Sequence, residues 1–290
     1  VHEARSGRKL RELENGVMSL ENPLGKQSEY IDTYTPSLLH SIERASARLE
    51  LGVDPENLPF QGEDVWMCYE LTWLTERGKP EVSAMRVKVP ASSPCIVESK
   101  SLKLYLGSLA QTRFANKAEL LNTLNSDLGL AFRAPVMLEL IDLPQVPDIV
   151  SQPPGICLDG LDVKLDTYER DPELLALEEG EERVVKETVH TNLFRSLCPV
   201  TGQPDFATMV VRYLGRPISR GSLLAYLVSF RNHQAFHEAT VEQIYMDIQT
   251  VCQPDQLSVA GRFLRRGGID INPFRSNVDD QMPLMRLPRQ

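Results

Sequence analysis

In SLCPVTGQPDFA, Ser196 to Ala207, a thiol and a carboxyl group stand close together as Cys198 and Asp205. A thiolate attacks electrophilic carbon, and a neighbouring carboxylic acid shuttles the proton that such an addition needs. Pro199, Gly202 and Pro204 keep the segment out of a helix interior. They also remove backbone freedom, so the thiol and the acid can be held at a set separation. The competing reading makes Cys198 a small buried hydrophobe.

Three further segments carry groups of the right type. In SFRNHQAFHEATVEQI, His237 and Glu238 open a helix. A plain helix cap accounts for them by position, because exposed N–H groups and the helix dipole favour a carboxylate there. Phe236, His237 and Glu238 in succession also suit a flat heterocycle. The ring stacks, and the carboxylate accepts from an amide N–H and an exocyclic amine. In IVESKSLKLYLGS, Glu98, Lys100 and Lys103 read as the wet face of an alternating strand. RFLRRGGIDINPFRSN sets Arg262, Arg265 and Arg266 beside Gly267 and Gly268, where a polyanion would meet guanidinium groups and bare backbone together.

Composition narrows the chemistry. The 290 residues carry a formal net charge of -9, which disfavours direct nucleic-acid binding and points to a small substrate. Cys68, Cys95, Cys157, Cys198 and Cys252 are scattered and form no C-x-x-C pair, against both a disulfide framework and a structural zinc site. The histidines never join a cysteine at metal-ligand spacing. There is no G-x-G-x-x-G after a strand, no P-loop and no H-E-x-x-H. No run reaches the roughly 18 apolar residues of a membrane span, and the N-terminus lacks an apolar signal core. The expectation is a cytoplasmic protein with reduced thiols.

The elements that must position these groups follow from periodicity. Residues 1–27 read as a polar tail. Thr35 and Pro36 start a predicted helix with Leu38, Leu39, Ile42 and Leu49 on its apolar face. Tyr69, Leu71 and Trp73 alternate towards a turn at Gly78 and Pro80, and Val82 to Val89 returns, which predicts a hairpin. Asn116 caps a second helix, Glu119 completes its capping box, and Leu120, Leu121, Leu124 and Leu128 form its stripe. The Pro- and Gly-rich stretch from Gln145 to Gly160 connects two halves. A strand-like stretch follows, then LEEGEER, read as a solvated loop.

The second half echoes the first. LLAYLVS (Leu223 to Ser229) matches LKLYLGS (Leu102 to Ser108) as L-x-x-Y-L-x-S, and VVRYLGRPI resembles LTWLTERGKPEV. A true repeat implies tandem modules of hairpins with helices on one face. Val241, Ile244, Tyr245, Ile248 and Val251 form the apolar face of the last helix.

Taken together and in order, ESKSLKLYLGS, CPVTGQPDFA, SFRNHQAFHE and RRGGIDINPFRSN resemble the motifs of the NADPH-dependent 7-cyano-7-deazaguanine reductases, the nitrile reductases of queuosine biosynthesis, a tRNA modification. LGKQSEYIDTYTPSLLHSIER resembles that family's N-terminal signature, so the resemblance runs from Leu24 to Gln290. It implies an α+β tunnelling fold in the long form: tandem modules at 28–150 and 151–290, assembling into a barrel, in a homodimer. It implies that Cys198 adds to the nitrile carbon as a thioimide, that Asp205 manages the protons, and that two NADPH supply the hydrides. Val97, Glu98, Ser99, His237 and Glu238 would touch the deazaguanine, with Phe236 stacking. Ser99, Lys100, Arg266 and Gly267 would hold NADPH. No metal is implied, and no nucleic-acid or membrane partner, because the family acts on the free base. Two other readings stay open: a zinc hydrolase of the same architecture resembling the GTP cyclohydrolases, and a non-catalytic purine-binding module in which Cys198 is structural.

Overall fold

The computed structural model describes residues 31–290 apart from 147–149, 181, 280 and 282–284. The expected tail over 1–27 and the start of the N-terminal signature lie outside the described residues. The first half of the chain forms β1 (Ser41–Glu43), α1 (Ala45–Glu50), the hairpin β2 (Gln61–Thr75) and β3 (Pro80–Pro90), and β4 (Cys95–Val97). It continues with α2 (Ser99–Ser108), β5 (Arg113–Phe114), α3 (Lys117–Phe132) and β6 (Met137–Ile141). The second half forms β7 (Ile156–Cys157), the hairpin β8 (Val185–Leu197) and β9 (Pro204–Gly215), α4 (Arg220–Ser229), α5 (His237–Cys252), and the hairpin β10 (Gln256–Phe263) and β11 (Ile269–Ser276).

The predicted first hairpin forms as expected, and Gly78 turns it at φ +82°, a backbone angle that favours glycine. One sheet runs β6-β3-β2-β11-β10-β9-β8-β7, with β11 lying antiparallel to β2 and joining the halves. Register puts Trp66 opposite Ile271 and Cys68 opposite Ile269, all on the face that the helices cover. Leu102, Tyr105 and Leu106 of α2 and Leu120, Leu124 and Leu128 of α3 pack there against β2 and β3. Leu224 of α4 and Val241, Ile244 and Ile248 of α5 pack against β8, β9 and β10.

An ionic seam lies on the same face between these apolar clusters. Arg275 of β11, whose side chain is fully buried, reaches Asp64 at 2.7 Å and Glu242 at 2.8 Å. Arg44 reaches Asp64 at 2.5 Å, and Arg48 reaches Glu242 at 2.9 Å.

The L-x-x-Y-L-x-S echo has matching hydrogen bonds in both halves. Tyr105 Oη donates to Asp127 at 2.6 Å and Tyr226 Oη to Asp247 at 2.7 Å. Ser108 and Ser229 each donate back to the carbonyl of that tyrosine at 2.7 Å. The N–H of His40 donates to Ser101 Oγ and that of Ala176 to Ser222 Oγ, both at 3.1 Å. The register of each first hairpin also shifts once, between Cys68 and Leu71 and between Thr191 and Phe194. The other echo fails: LTWLT lies in β2, the first strand of its hairpin, whereas VVRYL lies in β9, the second strand, directly before α4.

Three local expectations are corrected. The single helix expected from Pro36 is a 3-10 turn (Pro36–Leu38), then β1, then α1. Ile42 pairs across from Ile96, and the Arg44 N–H donates to Pro94 O at 2.9 Å, so strand pairing draws the middle out of helical geometry. Thr35 makes no side-chain cap and Leu49 stays exposed. The alternating strand expected at Glu98 to Lys103 is helix α2, because Leu102, Tyr105, Leu106 and Leu109 bury at helical spacing. The strand-like stretch after Gly160 is irregular; Val163 and Leu165 reach the core from it without a strand partner. The acidic loop is solvated, with Glu179, Gly180, Glu182 and Arg183 exposed.

Candidate active site

Cross-strand register brings Cys198 and Asp205 together. Ser196 faces Asp205 and Leu197 faces Pro204 across the β8–β9 hairpin. The Cys198 N–H extends the ladder to Gln203 O at 2.8 Å, and the Gly202 N–H closes the turn on Cys198 O at 2.9 Å. Side chains two apart on a strand share a face, so Cys198 and Asp205 are diagonal neighbours on one face. Gly202, at φ +65°, completes the turn and Pro204 opens β9, a position that tolerates proline. Asp205 is buried and Cys198 half-buried.

The entry to α5 is pinned to this hairpin. The Leu197 N–H donates to His233 O at 2.8 Å and the Ala235 N–H to Leu197 O at 3.3 Å, which sets Phe236, His237 and Glu238 beside the thiol. His237 Nε2 lies 3.2 Å from Asp205 Oδ2. Its ring stacks on Phe263 of β10 with centroids 3.9 Å apart and planes 18° apart, which fixes the imidazole against the carboxylate. Arg266, in the β10–β11 turn, donates Nη1 to Asp205 Oδ1 and Nη2 to Gln203 Oε1. Burial pushes the Asp205 carboxyl up, but the hydrogen bonds and charges of His237 and Arg266 outweigh it and hold the group below the usual carboxylate range.

From the other half comes the β4–α2 boundary. Glu98 is the N-cap of α2, accepting from the N–H groups of Lys100 at 3.0 Å and Ser101 at 2.7 Å. Glu238 lies buried in the first turn of α5, whose N-cap, Phe236, offers no side-chain acceptor. Burial, and then the charge of Asp64, raise the Glu238 carboxyl above its ordinary value despite Arg44 and His237.

These parts enclose one cavity of about 380 Å³. Every residue that the family resemblance assigns to the site lines it: Cys198, Asp205, Val97, Glu98, Ser99, Lys100, Phe236, His237, Glu238, Arg266 and Gly267. Trp66, Ile269 and Ile271 add an apolar wall. Two of the expected arginines are elsewhere. Arg262 is buried outside the cavity, and the Arg265 guanidinium stacks over Tyr69 at 4.4 Å, because neighbours along β10 and its turn point to different sides. The stacked ring pair is His237 with Phe263, while Phe236 lines the cavity. Sequence reasoning missed Phe263 and Gln203, although both sit inside quoted motifs, because nothing local says which ring meets which.

The cavity's cationic side fits a phosphorylated cofactor such as NADPH. Lys103, one helical turn from Lys100, lines it too, and neither lysine pairs with a carboxylate among the described residues. Gly267 sits at φ +60°, a backbone angle that favours glycine, and its bare Cα leaves room beside the flexible Lys103 side chain. Among the described residues, no group of three or more His, Cys, Asp and Glu is placed to hold a metal ion.

Residues 30–140 match the family description "Nitrile reductase, 7-cyano-7-deazaguanine-reductase N-term", and residues 204–282 match "QueF-like protein". The NADPH-dependent 7-cyano-7-deazaguanine reductase of Dechloromonas aromatica (strain RCB) is 49% identical over 263 residues, covering 90% of this chain and 92% of that protein. The apo crystal structure of the archaeosine synthase QueF-Like aligns with a TM-score of 0.29 at 16% identity, over 34% of this chain and 96% of that one, too distant to inform the arrangement. With both family segments matched in order and near-complete coverage of a 49% identical relative, the chain belongs to the 7-cyano-7-deazaguanine reductases, a family of nitrile reductases.

Proposed function

We propose that this protein reduces the nitrile of 7-cyano-7-deazaguanine to the aminomethyl group, with NADPH as reductant, through a thioimide on Cys198. The observation that carries the reading is the shared face of Cys198 and Asp205 in a cavity also lined by two buried carboxylates, Glu98 and Glu238. A nitrile accepts hydride poorly and a protonated thioimide accepts it well, which gives a covalent nucleophile its purpose. Asp205, held ionised by His237 and Arg266, takes the thiol proton as sulfur attacks and returns it to nitrogen. Glu238 and Glu98 accept from the N–H groups of the base; Val97, Ser99 and Phe236 complete its contacts. Ser99, Lys100, Arg266 and Gly267 hold the cofactor. When bound, NADPH supplies the hydride equivalents. The product feeds queuosine synthesis.

The chain's modules are 28–150 and 151–290, each an antiparallel sheet with helices on one face in the manner of a tunnelling fold. The matched Tyr–Asp and Ser–carbonyl bonds of the two halves support that division. Barrel assembly in a homodimer is supported by the sheet ends. β6 and β7 each have one strand neighbour, and Met137 and Ile156 are exposed there. Free thiols, which the reaction needs, fit a cytoplasmic setting.

The test is NADPH oxidation with 7-cyano-7-deazaguanine. About two equivalents should be consumed per substrate; no consumption would sink the reading. Cys198→Ala should abolish turnover and the covalent adduct seen by intact mass. An adduct surviving that change would move the nucleophile to another thiol.

A further inference from the structure

Of the lysine and arginine side chains lining the cavity, Arg266 alone is already paired with a carboxylate among the described residues. It donates Nη1 to Asp205 and Nη2 to Gln203 at 2.8 Å. Its backbone is fixed, since the Arg266 N–H donates to Ile269 O at 2.9 Å and the Ile269 N–H returns to Arg266 O at 3.2 Å. Gly267 and Gly268 make that turn at φ +60° and +85°. Only the side chain is free to change partners, and it is 36% exposed while that of Asp205 is 4% exposed. The other charged or titratable groups lining the cavity are Cys198 on the hairpin of Asp205, His237 and Glu238 on α5, and Glu98, Lys100 and Lys103 around α2.

We propose that Arg266 serves two anions in turn: it holds Asp205 as a carboxylate while no cofactor is bound, and leaves it for a cofactor phosphate, so that Asp205 turns from proton acceptor into proton donor. The proposal rests on the nitrile-reductase reading. The reaction asks for both states. In the addition, the thiol proton goes to Asp205, the S–C bond forms, one C≡N π bond opens, and the proton passes to nitrogen. The net change is S–H across C≡N, with nothing oxidised. Each reduction then needs a hydride at carbon, from NADPH as it becomes NADP⁺, and a proton at nitrogen. A carboxylate paired with a guanidinium gives up its proton readily and is a poor reservoir for that second proton. Arg266 prefers the phosphate fork to one carboxylate oxygen, and Lys100 and Lys103 hold the same anion near it. Once Arg266 moves, Asp205 keeps its burial and its contact with His237 but loses the guanidinium. That loss shifts it towards its protonated form.

Adduct formation between the full chain and 7-cyano-7-deazaguanine, timed by intact mass after quenching, needs no reductant. NADP⁺ brings the phosphates without the hydride. Without NADP⁺, the adduct rate at pH 5 should stay within about twofold of that at pH 7. With NADP⁺ shown bound by equilibrium dialysis, the pH 5 rate should fall about tenfold below the pH 7 rate, as Asp205 takes up a proton. Arg266→Gln should show that fall with no NADP⁺ added. An unchanged ratio in the unmodified chain with NADP⁺ bound overturns the proposal, and so does failure of NADP⁺ to bind; neither depends on a variant folding. Absence of any adduct would instead remove the nitrile-reductase reading, and this proposal with it.

Discussion

At the scale of single residues, Cys198 and Asp205 share one face of the β8–β9 hairpin. Proline and glycine around Cys198 announce a fixed turn. What makes Asp205 an ionised partner is His237, braced on Phe263, and Arg266 from another turn. Asp205→Asn keeps the shape and removes the charge. It should still bind the nitrile while single-turnover reduction slows by about 10²–10⁴-fold; a rate within twofold of the parent would assign the proton transfers elsewhere. Glu238→Gln keeps volume but changes the acceptor proposed to meet the base into a mixed donor–acceptor. Calorimetry should show binding of 7-cyano-7-deazaguanine weakened by about ten- to a hundredfold, the cost of one mispaired buried hydrogen bond to a charged group.

At the scale of elements, local rules succeeded where the deciding contacts are local. Helix α3 starts where Asn116 predicts, with Asn116 Oδ1 accepting from the Glu119 N–H at 3.0 Å; the returning Glu119 bond goes to the Ala115 N–H at 2.7 Å. Asn116→Ala should lower unfolding stability by about 1 kcal/mol in urea titrations. They failed where a distant strand decides: β1 exists because β4 lies beside it, and no periodicity within Thr35 to Leu51 records that. Helix α2 was hidden by charge alternation at Glu98, Lys100 and Lys103, although its apolar residues recur at helical spacing. The repeated Tyr–Asp bonds offer a comparison between halves. Tyr226→Phe should cost about 1–3 kcal/mol. Each aspartate keeps another donor, Tyr34 at 2.8 Å for Asp127 and Arg170 at 2.6 Å for Asp247, but Asp247 is buried and Asp127 only half-buried, so Tyr105→Phe should cost less. Equal losses would mean that burial does not set the cost of these bonds.

At the scale of the whole molecule, the halves meet through the β2–β11 ladder and the ionic seam. Burial pushes Asp64 up, yet Arg275 and Arg44 outweigh it and hold it below the usual range; Glu242 is likewise held down, chiefly by Arg275 against its burial. A carboxylate lowered in the folded state contributes stability above the usual carboxylate range and loses it as pH falls through the folded value. Arg275→Met takes one cation from each of two buried carboxylates, leaving Asp64 with Arg44 and Glu242 with Arg48, so it should cost about 3–5 kcal/mol at neutral pH. The loss should shrink towards pH 4, where protonation relieves the under-paired carboxylates. Urea midpoints of both proteins from pH 7 to pH 4 measure that gap, and a gap constant with pH would mean the seam carries no such charge coupling.

The sequence by itself determined which chemistry was available: a thiol on a constrained turn with a carboxyl group seven residues on, a carboxylate-bearing helix start and a glycine–arginine turn. Those are properties of residue type and short-range backbone geometry. It also carried the repeat, because the same side-chain bonds were needed twice. Only the tertiary structure decided which of three neighbouring arginines enters the cavity, that Glu98 caps a helix instead of lining a strand, and that Arg266 is held by Asp205. Each of these depends on partners many residues away, joined by strand register and by burial of one sheet face, and neither is written in any single stretch of the chain.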